Sequence, residues 1–164
     1  MIPRKGAVVA GISEKMLMDV LQVRMTLEKM AYECAFRCIN DEQIEELKEA
    51  EKEFEDAVKS NDLVKIAEVD EKFHFIIYNA AQNDKLKEIL ANLRENMYRY
   101  RMEYAKNRES RDQLIKEHNQ MIETLIKRDS IEGLKIVEEH IRNQEKVILE
   151  KIEEDARNNQ VKRK

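Results

Sequence analysis

The sequence predicts an all-α protein, an antiparallel bundle of about six helices. Two observations carry that prediction. Residues that break helices are scarce: 164 positions hold three glycines and one proline, too few for a sandwich or barrel that turns every 8 to 12 residues. Apolar residues (42%) recur at helical spacing, while charged residues (39%) fill the faces between them. The net charge is −4, with 30 basic and 34 acidic side chains interspersed, which makes a poor surface for tracking phosphates. No run approaches the roughly 18 apolar residues of a membrane span, and the apolar stretch near the N-terminus is too short for a signal peptide. Two cysteines, Cys34 and Cys38, sit four apart in a helical pattern and offer no disulfide framework. These features together lead us to expect a reduced, cytoplasmic protein.

The helices are punctuated by Ser, Asp and Asn. Ser13 opens a helix over 13–38 with an inward stripe of Leu17, Val20, Arg24, Leu27, Ala31, Cys34 and Cys38. Asn40, with Gln43 three residues later, forms a capping box for 41–60; the charge run Glu42 to Asp56 reads as its solvated face. Asn61-Asp62 starts 62–81, whose stripe is Leu63, Ile66, Asp70, Phe73 and Ile77. Asn83-Asp84 starts 84–107, with Leu86, Leu90, Leu93, Met97, Tyr100 and Tyr104 inward. Ser110 with Gln113 starts 111–128, striped by Leu114, His118, Met121 and Leu125. Asp129-Ser130 starts 130–157, striped by Val137, His140, Ile141 and Val147. Residues 1–12 hold two of the glycines and the proline and read as a hairpin end or linker; 158–164 is a polar, basic tail expected to fray.

The informative residues are the polar ones on the apolar stripes. All three histidines, His74, His118 and His140, face inward from three different helices, as do Asp70 and Arg24. An ion buried without a partner is costly, so such groups should be paired or bind metal. Asp70 and His74 are at i and i+4, one turn apart on one face, and His118 and His140 can complete a site from neighbouring helices. Three imidazoles and a carboxylate suit Zn, Ni, Fe, Mn or Cu, and suit Mg or Ca poorly.

Blander readings stand beside this one. The histidines can be neutral core residues with Asp70 paired to Arg24. Cys34 and Cys38 read as small buried groups. Tyr100 and Tyr104 read as core, although a Tyr hydroxyl or Arg101 could reach a central cavity. Glu71-x-x-His74 is half of a di-iron pattern, but His118 and His140 have Ile115 and Val137 where the second glutamate would stand.

The chain resembles the FCD effector-binding domain of the FadR-type branch of the GntR transcription regulators. The resemblance rests on Leu21-Gln-Val-Arg24-Met-Thr-Leu-Glu28, Asp70-Glu-Lys-Phe-His74, Asn79-Ala-Ala-Gln-Asn83, Glu117-His118, Arg128-Asp129 and Glu139-His140-Ile141, in that order along 13–157. Six helices are similar to the VanR-like members. Pro3-Arg-Lys-Gly-Ala-Val-Val9 resembles the last strand of the wing in that family's winged-helix reading head, so residues 1–12 are expected to be a wing remnant with the head itself absent from this chain.

The resemblance implies a central cavity holding a divalent metal. Asp70, His74, His118 and His140 match its ligand positions, and Arg24 matches an arginine near the effector carboxylate, with Tyr100 and Arg101 as further ligand-binding candidates. Zn or Ni leads, with Mn or Fe as further options. The implied partners are a small carboxylate effector, a second copy of the chain in a homodimer, and DNA only through the N-terminal head. The expected role is sensing, without catalysis. The alternative is a metal-dependent hydrolase or lyase acting on a small carboxylate.

Overall fold

A computed structural model describes residues 14–161, and among these it contains seven helices and no strand. They are α1 (Glu14–Cys38), α2 (Asp41–Ser60), α3 (Leu63–Ala80), α4 (Asp84–Asn92), α5 (Arg94–Ala105), α6 (Arg108–Lys127) and α7 (Ser130–Val161). The expected all-α bundle is present. Ser13 and the segment 1–12, with its expected wing remnant, lie outside the described residues. The last helix continues to Val161, through the first residues of the expected tail.

Most caps follow the predicted chemistry. Asn40 and Gln43 form the reciprocal capping box of α2. Asp62, Asn83 and Asp129 each accept from the backbone N–H three residues on. Two boundaries differ from expectation. The cap of α6 is Asn107, whose side chain accepts from the Ser110 N–H at 3.2 Å, so the helix starts three residues before 111. The single helix expected over 84–107 is two. At Leu93 (φ −85°, ψ −4°) the chain steps through a tight turn in which its N–H bonds Leu90 O at 3.1 Å. The break follows from the neighbours: Leu86 and Leu90 pack with Ala31 and Tyr78, whereas Met97, Tyr100, Arg101 and Tyr104 are buried on the other half of the run.

Helix directions can be read from paired residues. Arg24–Gln144, Lys29–Glu138 and the Phe36–Gly133 contact run in opposite senses along α1 and α7. Glu51–His118 and Asn61–Arg111 do the same for α2 and α6. One apolar cluster, including Leu17, Tyr32, Leu47, Phe73, Met121 and Ile141, ties α1, α2, α3, α6 and α7 together. Arg128 fastens the ends. It caps α6 in the left-handed region (φ 56°) and donates to Phe36 O (2.7 Å) and Ile39 O (2.6 Å), otherwise unpaired carbonyls at the end of α1. Cys34 and Cys38 are only half-buried, on the margin of the core. No helix among the described residues is long and apolar enough to cross a membrane.

Candidate metal centre

Helical spacing on α3, α6 and α7 brings His74, His118 and His140 together at the centre of the bundle. All three are fully buried, and the surface clefts between the helices are lined by other residues. Their ring centroids lie 5.1–5.8 Å apart. One donor nitrogen from each ring lies within 4.8 Å of the others, so the three lie close enough to hold a metal ion. Asp70 adjoins two of the three: its Oδ1 is 3.4 Å from His118 Nε2 and its Oδ2 is 3.9 Å from His74 Nε2. Phe73 stacks on His118 at 4.1 Å between centroids and walls off that side.

The histidines carry their own carboxylates, which the sequence reading did not assign. Glu51 Oε2 is 2.7 Å from His118 Nδ1, and Glu117 Oε2 is 2.7 Å from His140 Nδ1. Each such contact places a proton on Nδ1 and turns Nε2 toward the centre, the outer-shell arrangement of metal-bound histidines. Gln144 Nε2 donates to His140 Nε2 at 3.0 Å, which agrees with that tautomer. Glu28 Oε2 faces His74 Nδ1 at 3.6 Å, beyond hydrogen-bonding range. Glu51 corrects the expectation that Glu42 to Asp56 is uniformly solvated: it is 3% exposed. Its signal was available, since Ile44, Leu47, Glu51 and Phe54 are spaced by three and four.

The ion pair that one sequence reading drew between Asp70 and Arg24 is not formed. Asp70 accepts from Arg101 Nε on α5 instead. Arg24, fully buried, donates from Nε to Glu28 Oε1 at 2.7 Å and from Nη1 to Gln144. Tyr78 also donates to Glu28 Oε1, at 2.7 Å. Arg24 and Arg101 therefore both border the histidines. Tyr100 turns its hydroxyl to the Met16 carbonyl oxygen (3.4 Å), and no hydrogen bond joins it to the histidine group.

Several buried atoms here have no hydrogen-bond partner: both nitrogens of His74, His118 Nε2, Asp70 Oδ1, Glu28 Oε2 and Arg24 Nη2. Orphaned polar atoms are rare in protein cores, and here they gather around the three imidazoles. With neutral imidazoles, the carboxylates of Glu28, Glu51, Asp70 and Glu117 outnumber the guanidiniums of Arg24 and Arg101 by two, the charge a divalent cation would balance. Metal–nitrogen bonds of about 2.1 Å place two donors of one ion up to about 4.2 Å apart, within easy ring rotation of the spacing found. The donor set therefore fits a transition metal.

The acids differ in charge tendency. Burial raises Asp70, but Arg101 and the two histidines overcome it and hold the carboxyl well below its usual range. Burial raises Glu51, and its bond to His118 does not offset that. Burial also raises Glu117, yet His140, Gln113 and Asn143 all hydrogen-bond to it and leave it lowered.

The model of the FCD domain family matches residues 19–143. The chain belongs to the FCD family. A comparison with curated proteins finds no match. The domain is similar in structure to Escherichia coli McbR/YncC, at a TM-score of 0.79 and 18% identity, covering 86% of this chain and 71% of that one. It is similar to Streptococcus agalactiae GntR, at 0.70 and 18%, covering 86% and 63%. Lar, described as controlling expression of the Listeria monocytogenes agr system, matches at 0.70 and 15%, covering 83% and 64%. At these identities the likeness shows a shared FCD fold, and the chain spans about two thirds of each of those proteins.

Proposed function

We propose that this FCD domain is the effector-sensing part of a bacterial-type transcription regulator. In this reading Asp70, His74, His118 and His140 hold a divalent transition metal, Zn or Ni foremost, with Mn or Fe as further options. The ion supplies positive charge and a coordination position for a small organic acid. Arg24, whose planar guanidinium suits a carboxylate, takes the acid's other end through its free Nη2, and Arg101 stands as a second cation at the same site. The bundle acts as a homodimer, and the bound acid acts on DNA through an N-terminal winged-helix head by favouring one of two domain arrangements.

The observation that carries this reading is the convergence of three buried imidazoles, each facing a carboxylate, with unpartnered polar atoms pointing between them. The test is calorimetric titration of the zinc-loaded domain with lactate, citrate and glutamate, repeated after chelator stripping and with Arg24→Lys. The expected result is stoichiometric binding of at least one acid, lost on stripping and weakened about tenfold or more in Arg24→Lys. Binding that is indifferent to the metal contradicts the reading. Turnover of the acid supports the metal-dependent enzyme instead.

A further inference from the structure

Two of the three central histidines have a glutamate within 2.7 Å of Nδ1. The third, His74, has Glu28 Oε2 on the corresponding side at 3.6 Å, and both facing atoms are buried and unpartnered. The reason the gap stays open is visible: Glu28 is held through its other oxygen by Arg24 Nε and by the Tyr78 hydroxyl, each at 2.7 Å. Resting on the metal reading above, we infer that Glu28 is the positioning residue of His74, completing a set of three glutamates that each orient one imidazole toward a shared ion.

The chemistry behind this is the fixed tautomer of a ligating histidine. A ring that gives Nε2 to a metal must carry its proton on Nδ1, and an N–H buried in a dry core needs an acceptor. Glu28 Oε2 is the orphaned carboxylate oxygen that faces this nitrogen. Because Glu28 cannot move toward His74 without loosening its hold on Arg24 and Tyr78, the same carboxylate links the metal to Arg24. Tyr78 works against such a move, since it anchors Glu28 on the far side.

The test is zinc affinity, measured by competition with a chromophoric chelator, for wild type, Glu28→Gln and Tyr78→Phe, alongside nitrogen-15 histidine spectra of the zinc-loaded wild type. Glu28→Gln is expected to bind zinc about 10- to 100-fold more weakly. Tyr78→Phe is expected to bind several-fold more tightly, a direction that a purely structural role for Glu28 does not produce. The spectra are expected to show three hydrogen-bonded Nδ1–H groups. A folded Glu28→Gln that binds zinc within threefold of wild type overturns the inference. Should Glu28→Gln fail to fold, because Arg24 loses its counter-charge, the spectra decide: three hydrogen-bonded Nδ1–H groups uphold the inference and two overturn it. A wild type that binds no zinc overturns the metal reading as well, which separates the two failures.

Discussion

His74 and His118 sit in one dry pocket with ring centroids 5.8 Å apart, yet their proton affinities move in opposite directions. Burial pushes His74 well below its ordinary value, and Glu28 and Asp70 only partly resist. Burial acts on His118 in the same sense, but the carboxylates of Asp70, 3.4 Å from Nε2, and Glu51, hydrogen-bonded to Nδ1, more than offset it and raise the ring to about 9. Metal-free protein at neutral pH therefore holds a proton on His118 and none on His74. A metal needs both rings neutral. Zinc binding at pH 7 should thus displace the proton held by His118, a contribution that fades as pH rises through about 9. Calorimetry in two buffers of different ionisation enthalpy measures the released proton directly; no release at pH 7 contradicts this assignment.

At this scale the sequence was legible in part. The inward positions of Asp70, His74, His118, His140 and Arg24 followed from stripe spacing, because burial on a helix is periodic. The outer glutamates were harder to see. Glu51 lies in a run dense with acids, where only its register singles it out, and Glu28 and Glu117 meet histidines on other helices. The pairing of Arg101 with Asp70 joins α5 to α3, a long-range choice that periodicity does not encode.

Among the elements, α7 approaches α1 and α6 closely at Gly133. At Gly133 an added Cβ would lie 2.2 Å from Phe36 Cζ and 3.0 Å from Thr124 Oγ1. The Phe36 ring is itself buried and has little room to retreat. Gly133→Ala should therefore lower stability by about 1–3 kcal/mol, the usual cost of overpacking, despite the better helix propensity of alanine. Thermal or urea unfolding checks this; a variant at or above wild-type stability contradicts the close approach. Element boundaries were legible where a capping side chain announced them, as at Asn40, Asp62 and Asn83. The break at Leu93 carries no side-chain cap, proline or glycine. It arises because the two halves of the run meet different neighbours, which local sequence cannot report.

On the scale of the whole molecule, the bundle surrounds its own charges. Buried groups on α1, α2, α3, α5, α6 and α7 meet at the three imidazoles, so nearly every helix has a stake in what occupies the centre. An ion bound there stabilises the folded state by mass action. Stripping it with chelator should lower the melting temperature by several degrees, and re-adding zinc should restore it. No change on stripping would favour a bundle that holds its histidines as neutral core residues. The fold class was legible because an all-α bundle depends on periodicity and composition, and the FCD likeness because stretches such as Asp70-Glu-Lys-Phe-His74 and Glu139-His140-Ile141 stand in order along the chain. The charge balance at the centre was not, since it depends on six helices at once.

The most direct measurement is elemental analysis of protein purified without added metal, for wild type, His118→Ala and His140→Ala. Wild type should carry close to one divalent transition-metal ion per chain, with a large loss in both folded variants. Wild type free of bound metal, or variants that keep a full complement, would contradict it.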